Sequence, residues 1–259
     1  MTLKIPDWEN LFKRKTTIES KIERKGDVIV ALDGSGDTDS IEESLNLVPN
    51  NGKIFLKEGI FKYNKLNTLT IPSNTIIEGA GFGSIIQLGE LGTSGNYWIS
   101  LNNAENIIIK NLTIHVFASA DTEAFIEYDS ANKITFENVL FKFGDSNLLN
   151  IMWDPYGNGI TRLKLLNCVI DTTNGSLNEG IVAVSNLSKG EFIGNRFETA
   201  NLFMTGIGSN IDNCIIRGNY LKGLTLEAGC DNNVVIGNQT DNAIINNGAS
   251  NQVANNAIF

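Results

Sequence analysis

The sequence predicts an all-β protein: a single-stranded right-handed parallel β-helix of about nine or ten coils, preceded by a short helical segment. Three observations carry that prediction. Asparagine supplies 35 of 259 residues, beside 42% hydrophobic and only 19% charged residues. Asn forms helices and ordinary strands poorly, so this composition needs a fold that uses Asn at turns many times over. Seven segments share alternating apolar residues that run into an Asn and then into more apolar residues. The spacing of that Asn falls to 19 and 18 residues, too short for a helix plus a strand, which leaves coils pairing strand on strand in parallel.

From the N-terminus, residues 1–27 form one segment and residues 28–259 the β-helix domain. Residues 7–24 read as an amphipathic helix with Trp8, Leu11, Phe12, Ile18 and Ile22 near one face, a cap on the first coil or an attachment segment. Residues 1–27 carry seven Lys or Arg against five Asp or Glu, so the acidity of the chain, net −9, lies beyond them. VIVAL (28–32), KIFLKEGIF (53–61), LTIPSNTIIEGAG (69–81) and SIIQLG (84–89) follow as strands of the first coils. Between the first two, Asp39 and Glu42 have capping-box spacing for a helix over 40–48, placed to cover the open end of the solenoid.

The seven repeats put their shared Asn at Asn111, Asn138, Asn167, Asn195, Asn219, Asn238 and Asn256. Upstream of each lies a second strand-like run, at 97–103, 124–130, 150–154, 181–186, 202–208, 224–229 and 243–248. Stacked at the ~4.8 Å strand spacing, an Asn in each turn tolerates a left-handed backbone and bonds its amide to the next copy, which makes a ladder of amides. Cys168, Cys214 and Cys230 form no CxxC and are odd in number, so they read as buried apolar residues and not as a disulfide framework.

The stretch from Ala31 to Gly81, with Asp33, Gly34, Gly36, Asp37, Thr38, Gly52, Pro72, Ser73, Asn74 and Gly79, resembles the first coil of the pectate-lyase-like right-handed parallel β-helices. Within them it is similar to the branch of phage tailspikes and surface polysaccharide depolymerases. The resemblance covers roughly residues 28–259. It implies a protein that binds or cuts acidic and complex polysaccharides by lyase or hydrolase chemistry, or a structural or adhesive relative of one.

The chemistry is less marked than the fold. The Asn-Thr-Asp, Asp-Asp and His-Gly motifs of the polygalacturonase-type members are missing. Arg162, Arg196 and Arg217 stand singly, and His115 reads as an ordinary strand residue. Acid concentrates in the middle coils at Asp121, Glu123, Glu127, Asp129, Asp145, Asp154 and Glu179. Glu127 lies 27 residues from Ser100 and from Asp154, which predicts a carboxylate pair on neighbouring coils, ~5–10 Å apart, a range that serves glycoside hydrolysis. Glu127 and Asp154 are the catalytic candidates, with Asp129 and Asp145 behind them; Trp98, Tyr128, Trp153 and Tyr156 are candidate platforms for sugar rings. Loops 112–123, 139–149 and 168–180 flank the same surface.

No cofactor is expected. DGSGDTD (33–39) suggests calcium but lacks the Gly and the closing carboxylate of an EF-hand loop. The negative charge argues against nucleic acid, and no apolar run reaches the ~18 residues of a membrane span. The charged N-terminus carries no secretion signal, so the expected location is a virion or cell surface reached by another route, or the cytoplasm. The uncapped last coil predicts a homo-oligomer, a trimer, or another protein partner.

Overall fold

The computed structural model describes residues 27–63, 68–88, 99–116, 124–143, 150–153, 159–171, 187–197, 202–204 and 211–259; the helix expected over 7–24 lies outside them. Three columns of parallel strands make the coils. The first column stacks Asp27–Val30, Lys53–Leu56, Ile76–Gly79, the first halves of Glu105–Val116 and Ala131–Phe143, then Ile160–Leu166, Glu191–Ile193, Ile215–Arg217, Val234–Ile236 and Gln252–Ala254. The second holds Gly59–Tyr63, Ser84–Leu88, the second halves of the two long strands, Val169–Asp171, Arg196–Phe197, Tyr220–Leu221, Gln239–Thr240 and Ala257–Ile258. The third comes in two pieces. Leu69–Thr70, Ile99–Ser100, Ala124–Glu127 and Asn150–Trp153 form one, and Leu202–Met204, Leu224–Leu226 and Ile244–Asn246 the other.

Alternation along each strand sends every second residue inward, and register stacks like on like. Phe136, Leu165, Phe192, Ile216 and Val235 are in register and fully buried. A second inward row runs through Ile114, Phe141, Ile170 and Phe197. Each such side chain contributes roughly 1.5–3 kcal/mol by leaving water, and because each coil repeats the row, the core is continuous along the axis. Leu112–Val116, Val139–Phe143 and Val169–Asp171 therefore belong to the second column, so these residues are strand where loops are expected to start.

The helix runs Ile41–Leu47 and buries Ile41, Ser44 and Leu45. Ile41 and Leu45 join Val28, Val30 and Leu56 in the core at the first coil. The capping box is displaced one residue from the expected Asp39 and Glu42. Ser40 is the N-cap, its Oγ accepting from the Glu43 amide at 3.3 Å, and the Thr38 hydroxyl both donates to Glu43 Oε2 and accepts from the Ser40 amide.

The corner between the first and second columns bears out the reading of the shared Asn at Asn111 and Asn138, where Asn138 Nδ2 donates to Asn111 Oδ1 at 2.9 Å, and corrects it in the later coils. Its left-handed position is held in successive coils by Asn111, Asn138, Asn167, Gly194, Gly218, Gly237 and Asn255, with φ between 53° and 66°. The next residue points into the core: Leu112, Val139 and Cys168, then Asn195, Asn219, Asn238 and Asn256. The seven aligned asparagines thus fall into two classes, because the turn needs Asn or Gly at one position and takes either a hydrocarbon or an amide at the next. Asn111, Asn138 and Asn167 are corner residues; the ladder is Asn195, Asn219 and Asn238, all buried, and Asn256, half-buried. In it each Oδ1 accepts from the amide N–H of the preceding coil, at 2.8 to 3.0 Å, and each Nδ2 donates to a carbonyl one coil back. A second, shorter ladder joins Cys214, Asn233 and Asn251 at the opposite corner.

Candidate functional site

Of the acids and aromatics singled out in the sequence, Glu127 and Trp153 lie on the first piece of the third column. Leu69, Ile99 and Ile126 are buried apolar positions of this piece, and Ser100 is buried as well; Thr70, Ser100, Glu127 and Trp153 form one row, each in register with the next. Glu127 stands opposite Ser100, as the 27-residue offset predicts. On the following coil its register partner is Trp153, not Asp154, because the interval there is 26 residues and not 27. The row sets a carboxylate residue beside an indole residue about one coil rise away, ~4.8 Å.

Tyr128 is not a surface platform. It follows Ile126 by two residues, shares its inward phase, and is fully buried in the core, which is where the strand period sends it. Asp129 lies past the strand end at a corner, half-buried, and its carboxylate accepts from Ser130 Oγ at 3.3 Å. Trp98, Asp145, Asp154 and Tyr156 lie outside the described residues.

A second polar row lies on the outer face of the second column. Lys62, Gln87, His115, Lys142 and Asp171 are in register over five coils. His115 is half-buried, and burial first, then the Lys142 ammonium, holds its imidazole below the ordinary value, while Asp171 pulls the other way. Further along the same face Arg196 lies 5.9 Å from the Tyr220 ring centroid, and the Tyr220 hydroxyl donates to Asp241 Oδ1 at 3.0 Å.

The DGSGDTD turn is closed by its own hydrogen bonds. Asp33 Oδ1 accepts from the Ser35 amide and hydroxyl, which hold its carboxyl below the usual value. Asp37 Oδ2 accepts from the Ile29 amide at 2.8 Å, tying the turn to the first strand. Among the described residues no three His, Cys, Asp or Glu side chains gather to hold a metal ion, and no helix is long and apolar enough to cross a membrane. The three cysteines are free and buried, as the sequence implies, and burial pushes Cys168 to about 11, Cys214 to about 12 and Cys230 to about 11.

What the sequence reading missed is a column of basic residues at the other corner. Lys133, Arg162 and Lys189 succeed one another on three coils, all with left-handed backbone. Arg162, read as a lone residue, is the middle member. The signal was present as a polar residue followed by a cation ahead of each apolar run, in Asn132-Lys133, Thr161-Arg162 and Ser188-Lys189.

No protein-family model matches the chain. Over 92 residues it is 34% identical to the probable pectinesterase/pectinesterase inhibitor 6 of Arabidopsis thaliana. That alignment takes in 33% of this chain and 16% of the curated relative, so the match spans about a sixth of that protein. Among solved structures, the PL6 family alginate lyase AlyGC superposes with TM-score 0.60 at 10% identity, covering 90% of this chain and 39% of the lyase. Pectin methylesterase PemA from Erwinia chrysanthemi gives 0.55 at 12% identity over 86% and 81% of the two chains. Pectin methylesterase from carrot gives 0.50 at 14% identity over 88% and 82%. With its stacked parallel columns and buried amide ladder, the chain has the pectate-lyase-like parallel β-helix fold.

Proposed function

We propose that this protein binds an extended polysaccharide along the axis of the β-helix, over the row Thr70, Ser100, Glu127 and Trp153, and that Glu127 is the acid–base group of that site. The observation that carries the reading is the register of Glu127 with Trp153 on the adjacent coil. A flat indole is the side chain on which a pyranose ring stacks, and a carboxylate one coil away is within reach of the same or the next sugar. The fold supports the substrate class, since its neighbours are named for pectin and alginate, both polymers of uronic acids. Fold alone fixes no reaction, so the proposal rests on this row.

A polysaccharide panel, including polygalacturonate, methyl-esterified pectin, alginate and neutral glucans, tests it, assayed for binding and for new reducing or unsaturated ends. Wild type, Glu127→Gln, Trp153→Ala and Asp154→Asn are compared. Binding that weakens at least tenfold in Trp153→Ala supports the site, and new ends abolished by Glu127→Gln establish cleavage there. Binding without new ends leaves a carbohydrate-binding module. Failure of wild type to bind any member removes the proposal.

A further inference from the structure

The corner that follows the Glu127 strand carries a left-handed residue on every coil from Asn74 onward. Its members are Asn74, Asn106, Lys133, Arg162, Lys189, Asn213, Asn232 and Ser250, with φ between 55° and 63°. Asn suits that conformation, because its short amide bonds locally, whereas a long unbranched side chain there is strained. Asn holds the position twice before the three cations and twice after them. In the middle three coils it is given up each time for a positive charge.

We propose that Lys133, Arg162 and Lys189 form a cationic track that binds the carboxylates of a polyuronate lying along the β-helix axis. This rests on the polysaccharide reading above and names the charge class of its ligand. Arg162 and Lys189 are exposed and have no ion-pair partner among the described residues. Lys133 reaches Glu105 Oε1 at 3.4 Å, with 42% and 49% of the two side chains exposed, a contact that an incoming carboxylate displaces at little cost. The neighbouring row is neutral and rich in hydrogen-bonding groups on these same coils, at Asn132, Thr161 and Ser188, and acidic on either side, at Glu105 and then Asp212 and Asp231.

The positive window is therefore three coils long, about 10 Å between its outer members, and closed by acids at both ends. That shape suits a polymer with one carboxylate per sugar, whose repeat is of the same order as the coil rise. It is a poor surface for a nucleic acid, whose denser phosphates would overrun the window onto Glu105, Asp212 and Asp231 in a chain of net charge −9. Six residues separate Lys133 from Glu127 on the same coil, so a chain laid over the Glu127 row runs beside the track.

The test compares wild type with the triple variant Lys133→Asn, Arg162→Asn, Lys189→Asn, using polygalacturonate, fully methyl-esterified pectin and duplex DNA as probes. Asn suits the corner better than Lys or Arg, so the variant folds and melts at or above the wild-type temperature. Wild type binds polygalacturonate with an affinity that falls as salt rises, binds the esterified polymer at least tenfold more weakly, and loses at least tenfold in the triple variant with a flatter salt dependence. Polygalacturonate affinity unchanged in the triple variant overturns the track while leaving the Glu127–Trp153 site standing. Equal binding of the esterified polymer, or of DNA, overturns it as well. Polygalacturonate binding unchanged in Trp153→Ala but lost in the triple variant removes the stacking site and leaves the track standing.

Discussion

Asn219 Oδ1 accepts from both the backbone amide and the side-chain Nδ2 of Asn195, at 2.8 and 3.0 Å, with both residues buried. The same Asn219 donates Nδ2 to the Phe192 carbonyl and to Asn238 Oδ1. Replacing it with Ala strands donors and an acceptor that have no water to turn to, at roughly 1–3 kcal/mol for each orphaned group. Asn219→Ala is therefore expected to destabilise the fold by about 3 kcal/mol, read as a fall in the midpoint of chemical denaturation. A loss under 1 kcal/mol would mean the ladder is ornament on a hydrophobic core.

Cys168 marks where the inward column changes from hydrocarbon to amide. Its backbone N–H already donates to Asn195 Oδ1 at 2.8 Å, and its thiol lies 3.5 Å from the Phe136 carbonyl, as the Nδ2 groups of the ladder lie on theirs. Cys168→Asn is expected to extend the ladder by one coil and to leave the melting temperature within a few degrees of wild type. Leu112→Asn, three coils from Asn195 with Val139 and Cys168 between them, is expected to destabilise strongly, since its amide would enter an apolar stretch of the column.

How much of this was legible in the sequence follows from which forces are local. The turn chemistry of Asn111, Asn138, Gly194 and Gly218 is a property of single residues, so the repeats and the fold class could be read directly. The split between corner Asn and ladder Asn depends on one residue of phase, and only the register separates Asn167 from Asn195. The same one-residue uncertainty hid that Trp153 is the register partner of Glu127, and it made Tyr128 look like a platform when the strand period buries it. The basic corner escaped because its meaning lies in three coils stacked together, and each of Lys133, Arg162 and Lys189 is unremarkable along the chain.

His115 offers a clean titration, because the chain has one histidine. Burial and Lys142 hold its imidazole below the ordinary value of 6.5, and Asp171 opposes them. The folded state therefore favours the neutral ring. Its contribution to stability is complete above pH 6.5 and is lost as pH falls through that value towards the lower folded one. Lys142→Met is expected to raise the His115 pKa and Asp171→Asn to lower it further, followed through the imidazole proton shifts by NMR. An unchanged titration in both variants would show that the register row carries no electrostatic coupling.

Gly79 ends a strand of the first column where two coils approach closely. A Cβ there would run into the Asn111 carbonyl oxygen and come within 2.8 Å of the Cβ atoms of Leu112 and Ser84. Backbone cannot swing aside as a side chain can, so Gly79→Ala is expected to cost about 2 kcal/mol through overpacking. Gly237 is the contrasting case. Its Cβ would meet nothing within 4 Å, but its φ is +65°, and Gly237→Ala is expected to cost about 1 kcal/mol from backbone conformation alone. Gly237→Asn should recover most of that loss, whereas Gly79→Asn should be worse than Gly79→Ala; denaturation midpoints of the four variants separate the two mechanisms.

The three buried thiols fix the behaviour of the fold at high pH. Burial raises Cys168 to about 11, Cys214 to about 12 and Cys230 to about 11 from the ordinary value of 9.0. Between pH 9 and those values the unfolded chain releases thiol protons that the folded chain keeps. The unfolded state then binds fewer protons, so stability falls as pH rises, by up to about 1.4 kcal/mol per pH unit for each thiol. Below pH 9 the thiols are protonated in both states and the slope from this source vanishes. Denaturation midpoints measured from pH 8 to 10.5 should fall steeply above 9, and the triple variant Cys168→Val, Cys214→Ala, Cys230→Ala should flatten that fall. In native protein at pH 7.5 a thiol reagent should label none of the three, and in denaturant all three; rapid native labelling of Cys168 would show that the coil carrying it opens far more readily than its packing implies.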